Sequence, residues 1–263
     1  MQATVPLGIA WKCFNRDNFD RFTAGRAKRW LIGTEKVAAG RTIAIGDIHG
    51  CIHALKTLLS ALELTADDTL ITLGDAVDKG PRSREVIDEL RDLREVCNFV
   101  PILGNHEQML LDTVEGRITL QSWLMCGGAP TLDSYGLDAA LSILPDDHVE
   151  FIATWRDYYE TDLHFFAHAN YHPRKPLEKQ PWHEMRWLST KEYVPDRHAS
   201  GKTAIVGHTA NKQGEIVNHG QLVCIDTYCH GGQWLTALEN ETGKVWQANE
   251  KQEIREGELP AAN

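Results

Sequence analysis

Short apolar runs alternate with amphipathic helical stripes along residues 42–103, and this order limits the folds that the chain can adopt. The apolar runs Thr42–Ile45, Leu70–Leu73 and Phe99–Leu103 each end in glycine followed by a polar residue. Between them, apolar side chains recur at helical spacing over residues 52–62 and 86–93. This order is typical of a parallel α/β sheet whose strands are joined by right-handed crossovers.

The residues that follow the three runs are Asp47, Asp75 and Asn105, at nearly equal spacing. Ligands bind at the carboxyl ends of strands in open α/β sheets, so these three oxygen donors are expected to converge. Pro101 lies within the third run and predicts an edge strand or a bulge. Ser83 follows Pro81 and is a predicted N-cap of the second helix.

The second half has a different pattern. Residues 118–157 are predicted to be helical and rich in loops. Four short β-like runs follow, separated by turn residues: Leu163–Ala167, Thr203–Val206, Leu222–Ile225 and Trp234–Leu238. They predict a second, largely antiparallel sheet. We expect a flexible N-terminal extension over residues 1–40, a catalytic domain over residues 41–250 and a C-terminal tail over residues 251–263.

Composition narrows the classes of function. The formal net charge is −10, which disfavours a broadly basic surface, so no nucleic-acid partner is expected. No run approaches the ~20 apolar residues of a membrane helix, and the N-terminus does not resemble a signal peptide. The six cysteines contain no CxxC pair, which disfavours a zinc-thiolate site. We therefore expect a cytoplasmic protein with reduced thiols and no membrane partner.

The polar residues at the strand ends can hold cations. Asp47 and His49 are two residues apart on one loop, and Asp75 can bridge two cations with its two oxygens. Asn105 offers a neutral oxygen, and a later histidine such as His168 offers an imidazole. Mixed nitrogen and oxygen ligands suit manganese, iron or zinc rather than calcium. Two such cations can lower the pKa of a bridging water from 15.7 toward ~7 and so provide a hydroxide.

Four motifs carry a family resemblance: Gly46-Asp47-Ile48-His49-Gly50, Gly74-Asp75-Ala76-Val77-Asp78-Lys79-Gly80, Gly104-Asn105-His106-Glu107 and Gly207-His208-Thr209. With them the chain resembles the calcineurin-like metallophosphoesterases, and more closely the bacterial phosphoprotein phosphatases that act on phosphoserine and phosphothreonine. The resemblance covers about residues 41–240. It implies an α/β fold with a central β-sandwich of two mixed sheets flanked by helices, in four αββα layers.

The resemblance also implies roles for individual residues. The expected metal ligands are Asp47, His49, Asp75, Asn105, His168 and His208, with Asp75 shared between two divalent ions, preferably Mn²⁺ and alternatively Fe or Zn. His106 is the expected general acid, and Asp78 would orient it and stabilise its charge. The expected partner is a phosphoprotein or a small phosphate ester.

Phosphate binding departs from the family pattern. Lys79 stands where the family has arginine, and Leu103 stands where many members have a second arginine. Lysine supplies charge without a bidentate fork. Lys79, Arg82 and Arg186 are therefore the phosphate-binding candidates, although Arg186 is equally well explained as a solvated charge.

Two histidine assignments have competitors. His164 and His172 lie close to His168, and strand alternation places His164 on the same face as His168. His219 and His230 compete with His208, but only His208 follows a strand in a Gly-His-Thr context.

Three functions fit the sequence. The first is a two-metal serine/threonine phosphatase, the second is a symmetrical dinucleoside tetraphosphate hydrolase, and the third is a non-catalytic binding scaffold. Retention of Asp78 favours the first over the second.

Overall fold

The fold is described from a computed structural model over residues 40–136 and 141–262. The predicted N-terminal extension lies outside these residues, apart from Gly40. The described strands, in chain order, are β1 Thr42–Ile45, β2 Thr69–Thr72, β3 Asn98–Pro101, β4 Tyr158–Glu160, β5 His164–Ala167, β6 Thr203–Val206, β7 Val217–Asn218, β8 Leu222–Cys224, β9 Leu235–Glu239, β10 Lys244–Ala248 and β11 Ile254–Glu258.

Seven α-helices lie within the same described ranges. They are α1 Ile52–Leu62, α2 Ser83–Asp92, α3 Asn105–Val114, α4 Leu120–Trp123, α5 Ala129–Tyr135, α6 Asp146–Ala153 and α7 Trp182–Trp187. In α1, Ile52, Leu55, Leu58 and Leu62 are buried, as their helical spacing predicts. Among the described helices, none has both the length and the apolar character that crossing a membrane would require.

The strands form two mixed sheets. The six-stranded sheet has the order β11-β10-β9-β1-β2-β3, and the five-stranded sheet has the order β4-β5-β6-β8-β7. Strands β1, β2 and β3 run parallel to one another, as the alternation of runs and stripes predicts. Strand β3, which contains Pro101, lies at the edge of its sheet, where a missing N–H is tolerated.

Alternating side chains of the six-stranded sheet face opposite layers. Ala44 and Ile71 pack against Phe166 and Ile205 of the other sheet in a shared core. Their neighbours on the opposite face, such as Ile43, pack in a second core with α1, α2 and α3. The expected central β-sandwich of two mixed sheets flanked by helices is confirmed.

Three local predictions differ from the structure. The second sheet is not largely antiparallel, because β5, β6 and β8 run parallel to one another. The long segments between these strands return the chain to the same end of the sheet, which a parallel pairing requires. Ser83 begins α2 but does not cap it. Its Oγ accepts a hydrogen bond from Asp78 N and contacts Thr131 Oγ1 instead. The predicted run Trp234–Leu238 overlaps β9, which lies in the six-stranded sheet between β10 and β1 and not in the second sheet.

Candidate functional site

The six predicted metal ligands lie together at the ends of parallel strands in both sheets. Asp47 and His49 follow β1, Asp75 follows β2, and Asn105 opens α3 just after β3. From the second sheet, His168 follows β5 directly, and His208 follows β6 after one glycine. Each of these side chains is buried except that of His208, which is half-buried.

These loops have an unusual backbone. Eight described non-glycine residues have positive φ angles, and five of them belong to the predicted site: His49, Asp75, Asp78, Lys79 and His208. Such conformations cost on the order of 1–3 kcal/mol each and persist only where the surrounding structure imposes them. The fold therefore holds these side chains in place at a cost to its own stability.

The first group of donors is centred on His49. Its Nε2 lies 3.4 Å from Asp75 Oδ2 and 3.9 Å from Asp47 Oδ2. Its Nδ1 donates to the carbonyl of Val77 over 2.8 Å, so the lone pair of Nε2 faces the two carboxylates.

The second group shares Asp75 with the first. His168 Nε2 lies 3.4 Å from Asp75 Oδ1 and 2.9 Å from Asn105 Oδ1. His208 Nδ1 lies 2.9 Å from the same Asn105 oxygen and 3.2 Å from His168 Nε2. The remaining ring nitrogens donate to backbone carbonyls, from His168 Nδ1 to Leu73 and from His208 Nε2 to Trp187.

The donor set fits two divalent cations. In each group, acceptor atoms converge from separate loops, and backbone hydrogen bonds on the far ring nitrogens direct the lone pairs inward. Asp75 presents one oxygen to each group, as a bridging ligand would. The mixture of imidazole nitrogens with carboxylate and amide oxygens suits first-row transition metals.

The raised pKa values of the acidic residues also favour cation binding at this site. Burial, together with the nearby charges of Asp226 and Asp75, raises the pKa of Asp47 well above its usual value. Burial raises the pKa of Asp75 to about 7. Buried carboxylates this close together repel one another when ionised, and bound cations offset that repulsion.

The imidazoles are held in the neutral form that metal binding needs. Burial lowers the pKa of His168 to about 3, and burial together with the neighbouring charge of His168 lowers the pKa of His208 well below its usual value. Neutral rings keep their lone pairs available for a cation.

His106 and Asp78 form a buried pair beside the cluster. His106 Nδ1 donates to Asp78 Oδ2 over 2.7 Å, which leaves His106 Nε2 facing the cluster, 3.9 Å from Asp75 Oδ2. Burial raises the pKa of Asp78 to about 8 and lowers the pKa of His106. Burial disfavours a charged form of either partner alone, so we expect the pair to share its proton and to titrate as a unit.

Two residues that hold Asp78 are not identified by the sequence reasoning. Trp123 Nε1 donates to Asp78 Oδ2 over 2.9 Å, and Thr131 Oγ1 donates to Asp78 Oδ1 over 2.7 Å. They lie on α4 and α5, on either side of a π-helical turn over Leu124–Gly128. The only sequence signal is a tryptophan followed closely by Gly127-Gly128, which alone does not indicate a partner.

Glu107 also positions parts of the site, and the sequence pattern alone does not predict that role. Its Oε1 accepts from the backbone N–H groups of Ala76 and Val77, and its Oε2 accepts from those of Asp75 and Gly104. One buried carboxylate thus ties the loop after β2 to the start of α3. Burial and the charge of Asp75 raise the pKa of Glu107 to about 7.

The three phosphate-binding candidates lie in different surroundings. Lys79 reaches the cluster, with Nζ 2.9 Å from His49 Nε2. Arg82 pairs with Glu85 over 2.7 Å and contacts His53. The guanidinium of Arg186 on α7 binds Asp157 and Gln108, and its buried Nε has no hydrogen-bond partner in the described part of the chain.

The histidines that compete with His168 and His208 as ligand candidates occupy different positions in the structure. His164 is half-buried on β5, its ring tilted against Phe166 at 6.4 Å between centroids. The backbone N–H of His172 donates to Gln180 in the loop after β5. His230 lies closer to the site, because its ring packs edge-on against His49 with 4.7 Å between centroids. Asp226 lies beside these loops, since its side chain contacts Asp47 and accepts a hydrogen bond from Tyr228 N.

Comparison with curated proteins finds two kinds of bacterial relative. Serine/threonine-protein phosphatase 1 of Salmonella typhimurium is 33% identical over 156 residues, which cover 54% of this chain and 66% of that protein. Bis(5'-nucleosyl)-tetraphosphatase, symmetrical, of Edwardsiella ictaluri is 42% identical over 76 residues, or 28% of this chain and 26% of that protein. Serine/threonine-protein phosphatase 2 of Salmonella typhimurium is 43% identical over 85 residues, 32% of this chain and 37% of that protein. Each match thus spans less than two thirds of the relative's length.

Solved structures share the fold. A structure provisionally assigned as a diadenosine tetraphosphatase superposes with a TM-score of 0.60 at 24% identity, covering 83% of this chain and 93% of that one. A cold-active protein tyrosine phosphatase superposes with a TM-score of 0.55 at 17% identity, covering 84% and 79%. The sequence profile described as calcineurin-like phosphoesterase matches residues 40–234, most of the chain. Together with the binuclear donor set, this match shows that the chain belongs to the calcineurin-like phosphoesterase family of hydrolases.

Proposed function

We propose that the protein is a metal-dependent phosphomonoesterase of the serine/threonine phosphatase type. The observation that carries the proposal is the His106–Asp78 pair, which faces the shared donor cluster at Asp75. A histidine in that position can protonate the alkoxide that leaves from a phosphoserine or phosphothreonine, and alkoxides are strong bases that need such a proton.

We propose that Asp47, His49 and Asp75 hold one cation and that Asp75, Asn105, His168 and His208 hold the other, with Mn²⁺ as the preferred metal. When bound, two divalent cations supply Lewis acidity and activate water for attack on phosphorus. The chain's own residues do the rest. Lys79 offers positive charge to the phosphoryl oxygens, Asp78 orients His106, and His106 Nε2 delivers the proton.

Arg186 is our candidate for a second phosphate contact. Its Nη atoms are already used by Gln108 and Asp157, but its buried Nε remains free in the described structure. The charge of Arg186 helps to lower the pKa of His168, so the guanidinium lies near the second group of donors. Arg82 is a weaker candidate, because Glu85 and His53 already engage it.

A second candidate function is symmetrical hydrolysis of a dinucleoside tetraphosphate. The 42% identity to the Edwardsiella protein of that name favours it, although the identity spans only 76 residues. The same donor cluster would serve both reactions, because each is an attack of water on phosphorus. The leaving groups differ, since a nucleoside diphosphate leaves more readily than a serine alkoxide.

The test is hydrolysis by the purified protein, with Mn²⁺ and with chelator, of p-nitrophenyl phosphate, phosphoserine and phosphothreonine peptides, and diadenosine tetraphosphate. We expect metal-dependent release of phosphate from the peptides. Asp75→Asn should abolish turnover because it weakens both cation positions, whereas Asp67→Asn, at an exposed turn, should not change it. Release of ADP from the dinucleotide without peptide hydrolysis would support the second function. No metal-dependent turnover on any substrate would contradict both enzymatic functions and favour a scaffold.

A further inference from the structure

Lys79 occupies a turn whose backbone is imposed by its surroundings. Asp78 and Lys79 both have left-handed backbone angles, with φ of 69° and 64°. The N–H of Lys79 donates to the carbonyl of Gly127 over 2.9 Å, and the N–H of Asp78 donates to Thr131 Oγ1 over 2.8 Å. The backbone of Lys79 is therefore held in position by contacts that lie outside the donor cluster.

The stem of Lys79 passes close to Gly127. A Cβ added at Gly127, which has a φ of 111°, would lie 3.2 Å from Lys79 Cγ. Lys79 as a whole is exposed, yet its ammonium turns inward and lies 2.9 Å from His49 Nε2. The side chain therefore has room to move outward from this position.

The ammonium uses a lone pair that a metal would need. Lys79 Nζ donates to His49 Nε2 over 2.9 Å, and His49 Nδ1 is already engaged by Val77 O. Nε2 is the only ring nitrogen of His49 left to accept, and one lone pair cannot serve an ammonium and a metal ion together. The same positive charge stabilises the ionised forms of Asp47 and Asp75.

We propose that Lys79 is a tethered cation that occupies the first metal position when the protein carries no metal there, and that it must withdraw before a divalent ion binds to His49. The inference rests on the proposed two-cation site. It also gives a physical reason for the departure from arginine, because the lysine ammonium is a compact point charge on a flexible stem, whereas a guanidinium is broad and planar. After withdrawal, the ammonium is free for the phosphoryl group.

The test measures Mn²⁺ binding to the full chain by isothermal titration calorimetry after chelator treatment, together with the melting temperature of the metal-free protein. If the ammonium holds the position in about nine of ten molecules, Lys79→Met should tighten one Mn²⁺ site about tenfold. It should also lower the metal-free melting temperature, because Asp47 and Asp75 lose their counterion. Lys79→Gln is the second variant, should Lys79→Met fail to fold.

Lys56→Met is the matched control. It removes the same charge from the surface, where Lys56 pairs with Glu89 over 3.3 Å and is 58% exposed. We expect it to change neither quantity. Unchanged or weaker Mn²⁺ binding in both Lys79 variants would overturn the inference. So would tighter binding with an unchanged metal-free melting temperature, because that result would indicate repulsion from a distance. Normal Mn²⁺ binding without hydrolysis would contradict the proposed function and leave this inference standing.

Discussion

At the scale of single residues, we propose that metal binding and proton transfer fall to different side chains. His106 Nε2 lies close to His49 and Asp75, but its Nδ1 is committed to Asp78 over 2.7 Å, which suits a role as the acid. Trp123 and Thr131 hold the other side of Asp78, so the pair cannot easily rotate. This arrangement predicts that altering the pair will affect the departure of the leaving group more than the binding of cations.

The first prediction concerns the leaving group. His106→Asn should slow hydrolysis of alkyl phosphates about 10²–10⁴-fold, the usual contribution of a general acid, while p-nitrophenyl phosphate should lose far less because its phenolate leaves without a proton. The measurement is kcat on a phosphoserine peptide and on p-nitrophenyl phosphate, with bound Mn²⁺ quantified as the control. Equal losses on both substrates would count against His106 as the acid.

The second prediction concerns pH. The acid must be protonated, so activity on alkyl phosphates should fall as pH rises through the pKa of His106 in the working enzyme. Asp78→Asn removes the carboxylate that stabilises the imidazolium, so the pKa of His106 falls and this decline should move to lower pH. A pH profile of kcat on the phosphoserine peptide checks it, with p-nitrophenyl phosphate as the reference. An unshifted profile would mean that Asp78 does not influence the proton on His106.

At the scale of elements, the glycines before the ligands have a steric role. A Cβ on Gly207, which directly follows β6, would lie 2.1 Å from Asp47 Oδ1. The Asp47 carboxylate from the first sheet therefore packs directly on the backbone of Gly207 in the second sheet, and only glycine leaves room for it. Asp47 also accepts from His208 N over 2.9 Å. The loop after β6 therefore fixes the ligand that follows β1.

The third prediction follows from that contact. Gly207→Ala should displace the Asp47 carboxylate and weaken binding of one Mn²⁺ about 10–100-fold, the usual effect of disturbing the groups that position a metal ligand. Isothermal titration calorimetry measures it. Gly257→Ala on β11 is the matched control, because nothing lies within 4 Å of its added Cβ. Unchanged Mn²⁺ affinity in Gly207→Ala would show that the loop can yield.

Elements also show which parts of the structure follow from the sequence. The strands β1 and β2 are predictable because a Gly-Asp pair follows each apolar run, and α1 is predictable because its apolar residues recur at helical spacing. The parallel pairing of β5, β6 and β8 is not, since short apolar runs carry no information on direction. Asp78 lies 45 residues from Trp123 and 53 residues from Thr131, with α2, β3 and α3 between them, and no local sequence pattern predicts contacts over such separations.

At the scale of the whole molecule, the donor cluster and the ion pair of Arg41 with Asp68 lie at opposite ends of the six-stranded sheet. The donor cluster lies at the carboxyl ends of β1 and β2, whereas Arg41 and Asp68 lie at their amino ends. Asp68 accepts from the Arg41 side chain over 2.7 Å, from Arg41 N over 2.9 Å and from Thr65 N over 2.9 Å. The hydrogen bond from Arg41 holds the pKa of Asp68 well below its usual range.

The fourth prediction is that Asp68→Asn lowers the free energy of unfolding by about 1–3 kcal/mol at neutral pH without changing kcat. Because the folded pKa is depressed, the stabilisation is present above the unfolded value of about 3.9 and is lost as pH falls towards the folded pKa. Urea unfolding of both proteins from pH 7 to pH 3 measures the difference, which should stay constant down to about pH 4 and then shrink. A difference that grows on acidification would contradict this assignment.

We propose that loops from both sheets form one centre for two cations that share Asp75. Anomalous diffraction from a crystal grown with Mn²⁺ would locate both cations. We expect two peaks flanking Asp75, one bound by Asp47 and His49 and the other by Asn105, His168 and His208. No peak between these side chains, or a peak on only one side of Asp75, would contradict the claim.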